Sequence, residues 1–327
     1  MKLYLAPLHG VTNRVFRKVY FDHFSGFDAA IAPFILAVNN DQLGDKHFKD
    51  LLEGKNEKVP LIPQLLGNEA VPFVKTARYL GGLGYREVNW NLGCPFPMVA
   101  NKKRGSGLLS HPELIRKVLD AACAQNDIRI SVKMRLGRAN PEEIMGLMPM
   151  LNEYPLSKVI IHPRIGTQMY KGEVDLDGFE RAAKACANEV MYNGDIKDLG
   201  TFLKLKERFP QIQEWMIGRW ALVNPFLAKD IVEGKPTTKG ADRLRETGIF
   251  HAELYDAYRE VLYGPAHLLD KMKEIWTYLG QGFSGRGKAI EAIRRAKTLE
   301  AYERAVAEIF GTDVGAGISI PPVSAER

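Results

Sequence analysis

The chain has 327 residues, a formal net charge of +6 and a hydrophobic share of 46%. That apolar share supports a large core and excludes an intrinsically disordered protein, while the positive charge favours an anionic partner. Its three cysteines, Cys94, Cys123 and Cys186, have no CxxC or zinc-site spacing, which excludes a disulfide framework and favours a reducing compartment. Because no run of residues is long and apolar enough to span a membrane, we expect a cytoplasmic protein.

Short apolar runs alternate with longer amphipathic segments up to about residue 232. Eight runs predict strands: Leu3–Leu8, Ala29–Leu36, Leu61–Leu66, Glu87–Asn91, Arg129–Arg135, Lys158–His162, Val190–Tyr192 and Trp215–Ile217. Seven segments predict helices: Asn13–Phe24, Ala70–Leu83, Pro112–Ala124, Pro141–Tyr154, Leu176–Ala187, Asp198–Phe209 and Trp220–Val232. The alternation predicts an α/β fold, a (β/α)8 TIM barrel. An open doubly wound sheet is the alternative, which the lack of GxGxxG after the first strand disfavours.

The pattern changes after residue 234. Lys235–Gly240 is typical of a linker, and the residues that follow carry no strand signal and predict a helical bundle with breaks at Gly264-Pro265 and at Gly280–Gly282. We therefore divide the chain into a catalytic barrel at residues 1–234, a helical domain at 241–310 and a flexible tail at 311–327.

Cys94 stands directly after a predicted strand, in the sequence Asn-Leu-Gly-Cys-Pro. Buried structural cysteines mostly lie inside helices and strands, where they pack like alanine or valine. Here Gly93 permits a sharp turn and Pro95 prevents the strand from continuing. Since barrel enzymes carry their chemistry at the carboxyl ends of the strands, we expect the thiol at that end.

Polar side chains within apolar strands are further candidates. The Gln64 amide must find partners or cost ~1–3 kcal/mol, so it is either a satisfied core residue or a ligand. Asn91 ends the strand before Cys94, where an amide can bind a heteroaromatic edge. Lys133 and Arg135 share one face of a strand, which is costly without anionic or electron-rich partners unless that strand is an exposed edge. We interpret the lysine as stabilising negative charge on a cofactor ring and the arginine as binding a substrate oxygen or phosphate.

Similar residues end the later strands. His162 is followed two residues on by Arg164, which favours a site over a satisfied core histidine. Asn193-Gly194-Asp195 and Gly218-Arg219 follow the last two strands, where glycine backbones before helices bind phosphate. The seven histidines show neither HExxH spacing nor carboxylate clusters, so no metal is expected. The sequence thus predicts a pocket for a phosphorylated planar cofactor beside a thiol.

Eight runs between about residues 3 and 225 occur in an order that we recognise: Leu5–Thr12, Pro63–Asn68, Asn89–Pro95, Gly105–Leu109, Val132–Gly137, His162–Arg164, Asn193–Ile196 and Ile217–Arg219. In these runs the chain resembles the tRNA-dihydrouridine synthases, which are flavin enzymes with a (β/α)8 barrel and a C-terminal helical domain. The helical part of the chain fits that family by type and length only.

The resemblance implies an FMN enzyme that reduces a specific uridine in tRNA to 5,6-dihydrouridine with NADPH. It implies hydride transfer from flavin N5 to C6 and protonation of C5 by Cys94, whose thiol, with an unperturbed pKa of ~8.5, stays mostly protonated at neutral pH. It assigns the flavin ring to Ala6, Pro7, Leu8, Gln64, Lys133 and His162, and the ribityl phosphate to Asn193, Gly194, Asp195, Gly218 and Arg219. It assigns the base to Asn91, Arg135 and Arg164. We expect a monomer.

Three positions depart from the family pattern. Pro97 stands where a lysine is common, Pro163 replaces a glycine, and Arg138 replaces a tryptophan. We expect the cofactor pocket to tolerate these changes, whereas the substrate remains open between a tRNA uridine, another RNA such as rRNA, and a small pyrimidine or enoate. An RNA-binding protein without activity is disfavoured because Cys94, Lys133 and His162 are all present.

Two basic clusters favour RNA over a small molecule. Lys102, Lys103 and Arg104 follow the thiol closely, and a solvated charge run is the alternative. The helical domain carries a second basic cluster, which contains Arg286, Lys288, Arg294, Arg295 and Lys297. Three aromatic residues precede it: Trp276, Tyr278 and Phe283. Phosphate contacts from such clusters would be sensitive to salt and blind to sequence.

Overall fold

The computed structural model describes residues 1–39, 43–52, 58–124 and 128–311. Its backbone contacts form two compact units. The first contains Met1–Arg14 and Gly26–Gly218, and the second contains Val15–Ser25 and the described residues from Arg219 onward. Residues 219–234 thus group with the C-terminal helices, while the functional boundary at 234 stays a prediction. Most of the predicted tail, 312–327, lies outside the described residues.

One sheet of parallel strands forms the centre of the first unit. Its strands are β1 Lys2–Leu5, β2 Ala29–Ile31, β3 Ile35–Leu36, β4 Leu61–Ile62, β5 Gln64–Leu66, β6 Glu87–Leu92, β7 Arg129–Gly137, β8 Val159–Ile165, β9 Val190–Tyr192 and β10 Glu214–Ile217. They lie in the order β3-β5-β6-β7-β8-β9-β10-β1-β2-β4. All eight predicted strands are present, two of them in two parts.

The sheet closes on itself. β4 and β5 are parts of one strand interrupted at Pro63, which has no N–H to donate. β4 pairs with β2, with Ala30 opposite Leu61, whereas β5 pairs with β3 and β6, with Leu65 opposite both Ile35 and Trp90. β4, at one end of the strand order, therefore continues through residue 63 into β5, which pairs with β3 at the other end. This closure confirms the predicted (β/α)8 barrel and excludes the open doubly wound sheet.

Helices connect the strands along the chain. They are α1 Arg14–His23, α2 Asp45–Leu52, α3 Ala70–Gly82, α4 Pro97–Ala100, α5 Pro112–Cys123, α6 Glu143–Leu151, α7 Leu176–Ala185 and α8 Leu199–Arg208. Local signals start several of them: the Asp175 and Asp198 carboxylates cap α7 and α8 by accepting backbone N–H bonds of 2.8 and 2.6 Å. The sequence prediction missed α2 and α4, which are too short to show a helical period.

The second unit is helical in its described part. Its later helices are α9 Arg219–Val223, α10 Leu227–Glu233, α11 Gly240–Val261, α12 Gly264–Leu279, α13 Gly287–Arg295 and α14 Leu299–Phe310. The single helix predicted over Trp220–Val232 is wrong because the chain breaks at Asn224-Pro225, where the proline cannot donate a backbone bond. The predicted breaks at Gly264-Pro265 and at Gly280–Gly282, a 3₁₀ turn, are confirmed.

Candidate active site at the carboxyl end of the barrel

The Cys94 turn is held by two amide side chains from neighbouring strands. The Asn91 Oδ1 atom accepts the backbone N–H groups of Gly93 at 3.0 Å and Cys94 at 2.8 Å. The Asn91 Nδ2 atom donates to Gln64 Oε1 at 2.8 Å, and Gln64 Nε2 donates to Asn89 Oδ1 at 2.8 Å. Because these groups are buried and bonded to one another, Gln64 and Asn91 position the cysteine turn. Their predicted contacts with flavin and base stay predictions.

A glycine run packs against the other side of this turn. The Cys94 carbonyl accepts the Ser106 N–H at 2.9 Å. A Cβ atom on Gly105, whose φ is +55°, would lie 2.7 Å from the Cys94 carbonyl oxygen, and one on Gly107 would lie 2.1 Å from that of Ala100. Only glycine permits both approaches, which explains the Gly-Ser-Gly sequence at this place.

The environment of the Cys94 thiol keeps it protonated. The residue is only 8% exposed, and burial raises the pKa of its thiol above the ordinary value. A hydrogen bond from the Phe96 backbone N–H and the charges of Arg135 and Lys133 oppose that rise without cancelling it. A protonated thiol at the carboxyl end of a barrel strand is a suitable proton donor.

Lys133 is a cation without a counter-charge. It lies opposite Asn91 in the β6–β7 pairing, and burial, followed by the nearby Arg135 charge, lowers the pKa of its ammonium to about 7. Lys158, a second lysine inside the barrel, differs: burial acts to lower its pKa, but its bonds to Glu214 and Tyr4 raise it. Among the described residues no carboxylate pairs with Lys133. Lys133 is therefore the group that an anionic or electron-rich ligand would satisfy.

The Arg135 guanidinium connects the cysteine turn to the loop after β8. Its Nε atom donates to the Gly93 carbonyl at 3.0 Å, and its Nη1 atom donates to the carbonyls of Ile165 at 2.8 Å and Met169 at 2.6 Å. The side chain is 1% exposed and lies 5.2 Å from the Tyr170 ring centre. It therefore fixes the site's loops, and its predicted contact with the base stays a prediction.

Arg164 is occupied by an ion pair. Its guanidinium donates to both carboxylate oxygens of Asp195, at 2.6 and 3.2 Å, to the Gly172 carbonyl at 2.6 Å, and to His162 Nε2 at 3.2 Å. Since arginine can only donate, His162 Nε2 must accept, which places the proton on Nδ1. Arg164 is 1% exposed, so in this structure it orients His162 and neutralises Asp195. Its predicted role at the base remains untested.

The residues assigned to the flavin ring directly after β1 lie beside the end of β10. Ala6 donates its backbone N–H to the Ile217 carbonyl at 2.8 Å, and the Leu8 N–H donates to Thr12 Oγ1 at 2.9 Å. A Cβ atom on Gly218 would lie 3.4 Å from the Ala6 Cβ. The structure therefore brings Ala6, Leu8 and Gly218 together, with Pro7 between the first two.

The residues assigned to the phosphate follow β9 and β10. The Asn193 Nδ2 atom donates to the Met216 carbonyl at 2.9 Å, which joins the two strand ends. A Cβ atom on Gly194 would lie 2.2 Å from the Tyr192 hydroxyl, so glycine is required there. The helix starts are less suited to binding a phosphate than predicted. Helix α8 begins only at residue 199, and α9, which starts at Arg219, has only five residues. The predicted phosphate site would therefore depend on glycine backbone more than on helix ends.

The two basic clusters differ in which of their cationic side chains are exposed to solvent. Lys102 and Lys103 are exposed, whereas Arg104 Nε donates to Asn68 Oδ1 at 3.3 Å. In the second unit, Arg286 bonds to the Glu308 carbonyl, and four cations are exposed: Lys288, Arg294, Arg295, which also bonds to Glu291, and Lys297.

The aromatic residues before the second cluster belong to the core. Trp276 is fully buried and donates to His251 and Tyr302, and Phe283 packs against Trp276 and Phe310. The Trp276 ring is therefore not available to a ligand beside this cluster.

Sequence reasoning missed several residues of the site. Asn89 and Ser131 extend the amide network, since Asn89 Nδ2 donates to Ser131 Oγ at 3.0 Å. Tyr170, 39% exposed, stacks at 6.4 Å on His162. The position of Asn89 two residues before Asn91, on the same strand face, was a signal that could have identified it. No such periodic signal marks Tyr170, which lies on a loop.

Known proteins identify the family. The family model described as "Dihydrouridine synthase (Dus)" matches residues 4–304 of the chain. The chain belongs to the dihydrouridine synthase family. Membership makes it a flavin-dependent oxidoreductase, as the sequence predicted.

Curated relatives match this chain over most of their lengths. A "Probable tRNA-dihydrouridine synthase 2" from Bacillus subtilis is 28% identical over 290 residues, covering 86% of this synthase and 85% of the relative. A "tRNA-dihydrouridine(16) synthase" from Cupriavidus necator is 26% identical, covering 72% and 76%. A "Probable tRNA-dihydrouridine synthase" from Staphylococcus aureus is 27% identical, covering 78% of both chains.

Solved structures show a similar fold at low identity. Morphinone reductase is 11% identical with a TM-score of 0.52, covering 73% of this synthase and 87% of that chain. A variant of NCR from Zymomonas mobilis is 15% identical with a TM-score of 0.51, covering 73% and 88%. In the described parts of this synthase, no helix has the length and apolarity to cross a bilayer, and no group of side chains has a metal-ligand arrangement.

Proposed function

We propose that this synthase reduces a uridine in tRNA to 5,6-dihydrouridine, with FMN as its flavin and NADPH as the source of hydride. The observation that carries the proposal is the buried Cys94 thiol, kept protonated beside the unpaired Lys133 ammonium at the carboxyl end of the barrel. The printed names of the relatives from Bacillus subtilis and Cupriavidus necator support tRNA as the substrate.

The residues present fit a flavin. Lys133 offers a cation without a counter-charge, which suits the electron-rich pyrimidine edge of the ring. Ala6 and Gly218 offer small side chains at neighbouring strand ends, where a flat ring can approach the backbone. His162 would contact the ring, and the loops at Asn193–Asp195 and Gly218-Arg219 would hold the ribityl phosphate.

Cys94 would complete the reduction by giving up its proton. FMN, when bound and reduced by NADPH, would supply a hydride to C6 of the uracil ring. The Cys94 S–H bond breaks and its proton goes to C5, so the C5=C6 double bond becomes single and a thiolate remains. Burial keeps the proton on sulfur before the reaction, and the Lys133 and Arg135 charges stabilise the thiolate formed. The thiolate then regains a proton from solvent.

The remaining residues would hold the base and the RNA. Asn91 and Arg135 fix the turn that carries the thiol, so the donor proton has a defined position. A uridine in folded RNA must leave its stack to reach this end of the barrel, which costs a few kcal/mol. Exposed Lys102 and Lys103 would contact the RNA phosphates next to the unstacked uridine. We propose a cytoplasmic monomer, which three unpaired cysteines fit.

Comparing RNA from cells with and without the gene tests the proposed function. Dihydrouridine should be lost from one mapped position in tRNA and should return when the wild-type gene is restored. Loss confined to rRNA would reject tRNA as the substrate and retain the reaction. An unchanged dihydrouridine map would reject uridine reduction itself.

A further inference from the structure

Two large apolar side chains are exposed next to the buried thiol. Phe96 and Met98 follow Cys94 by two and four residues, and they are 44% and 79% exposed. Exposed apolar residues that stand alone need no explanation, but two of them beside a reactive group mark an interaction surface. Pro97 lies between them and begins α4. We call Phe96, Pro97 and Met98 the apolar ridge.

Contacts on both sides of the apolar ridge hold its backbone in place. Its backbone is fixed at one end by the bonds from Asn91 to the cysteine turn and at the other by the contact between Gly107 and Ala100. The Arg138 Nη1 atom adds longer contacts to the Pro95 carbonyl at 3.4 Å and to Ser106 Oγ at 3.3 Å. A surface that is ordered before binding loses little conformational entropy when a partner docks.

Two exposed lysines, Lys102 and Lys103, follow the apolar ridge in the turn that ends α4. Lys103 donates its backbone N–H to the Ala100 carbonyl at 3.0 Å, which brings the exposed Lys102 and Lys103 directly behind α4. An apolar surface flanked by cations is the combination that binds unstacked nucleotides, because bases stack on apolar and aromatic side chains while lysines hold the phosphates. The exposed lysines fit the phosphates of RNA, whereas a purely apolar partner would leave them without a counter-charge.

We propose that the apolar ridge binds the nucleobase next to the uridine being reduced, by stacking on Phe96 and contact with Met98, with Lys102 and Lys103 on its phosphate. This inference rests on the proposed function, because it names the RNA feature that the same site selects.

A double-mutant cycle on binding tests the proposal. Oxidised FMN-loaded enzyme is titrated with a transcript of the tRNA that carries the mapped uridine, and with transcripts in which the base on either side of that uridine is replaced by an abasic residue. Phe96→Ala should weaken binding of the intact transcript by about five-fold to one-hundred-fold. It should have no further effect on the transcript that lacks the stacked base, since the two changes remove the same contact.

Three further measurements separate stacking from a structural role. Phe96→Trp should restore binding, and Leu203→Ala, at a 50% exposed position on α8, should leave it unchanged. A 2-aminopurine in place of the adjacent base should lose fluorescence on binding to the wild type but not to Phe96→Ala. The rate of flavin reduction by NADPH should be the same in all variants.

Additive losses in the cycle, or unchanged fluorescence, would overturn the proposal. If Phe96→Ala instead abolishes a dimer and leaves RNA affinity unchanged, the ridge binds a second copy of the chain and the proposal is again wrong. A wild-type enzyme that neither binds nor reduces the transcript would refute the proposed function itself, which is a different result from either of these.

Discussion

The Cys94 thiol follows β6 and the Lys133 ammonium lies within the neighbouring strand β7, and burial acts on both. It raises the pKa of the thiol, whose charged form is the anion, and lowers that of the ammonium to about 7. The thiol therefore keeps a proton that it can donate. The ammonium is close to losing its own proton unless a ligand supplies the missing negative charge.

Replacing Cys94 by alanine should slow uridine reduction without changing flavin binding. A positioned acid typically contributes ~10²–10⁴-fold, so we expect a loss of that order in the single-turnover rate of reduced enzyme with RNA. Cys123→Ala is the matched control, since Cys123 is a half-buried cysteine on α5, remote in sequence from the site, and should leave the rate unchanged. Equal rates for wild type and Cys94→Ala would reject the acid role.

The pKa of Lys133 predicts a pH-dependent affinity for FMN. Below pH 7 the ammonium is charged and donates a strong hydrogen bond, whereas above pH 7 the neutral amine donates a weaker one. We expect FMN affinity of the apoprotein to fall by about tenfold between pH 6 and pH 9, measured by fluorescence titration. Lys133→Met should bind FMN more weakly at pH 6 and lose most of this dependence. A variant that keeps the wild-type pH profile would contradict the assignment.

At the scale of strands and helices, burial explains what the sequence could predict. Parallel strands covered on both faces are continuous apolar runs, so Val88, Val132 and Ile160 marked their strands without any periodicity. Short elements carry too few residues for such a pattern. The sequence therefore missed α2, and it also overlooked the break that Pro225 makes between α9 and α10.

The site was predictable in position but not in its bonding. Polar residues within otherwise apolar strands identified Gln64, Lys133 and His162, because such side chains need partners inside the barrel. Several partners of Arg135 and Arg164 depend on the path of the chain from the last residue of β8 through the following loop, whose carbonyls at 165, 169 and 172 accept their bonds. No residue pattern encodes that path.

The packing of α11, α12 and α14 predicts acid sensitivity of the second unit. His251 on α11 bonds to Trp276 and Tyr302, and burial lowers the pKa of its imidazole to about 3. In the unfolded chain the imidazole takes up a proton near its ordinary pKa of 6.5, whereas in the folded chain it does not until about 3, so stability falls as pH drops through this window. The maximal slope is about 1.4 kcal/mol per pH unit.

Thermal unfolding followed between pH 7 and pH 5 checks this effect above the range in which most carboxylates titrate. His251→Gln should be less stable than wild type at pH 7, because it loses packing and hydrogen bonds, but its stability should fall less steeply as the pH is lowered. Parallel pH profiles for the two proteins would show that His251 does not titrate as expected.

At the scale of the whole molecule, the net charge of +6 predicts binding that weakens with salt. Each phosphate contact adds about 0.9 to the slope of log affinity against log salt concentration. Replacing Lys102 and Lys103 by glutamine should lower that slope by about two, whereas the same change at Lys204 and Lys206, exposed on α8, should not. An unchanged slope in the first variant would exclude both lysines from the phosphate contacts.

The most direct test of the account is whether reduction of RNA and oxidation of the flavin are the same event. Anaerobically reduced enzyme is mixed with RNA from cells that lack the gene, and the return of oxidised-flavin absorbance is compared with the dihydrouridine formed. We predict one dihydrouridine per flavin oxidised at one mapped uridine, and a much slower return with Cys94→Ala. Flavin oxidation that proceeds equally without RNA, or that leaves no dihydrouridine, would contradict the account.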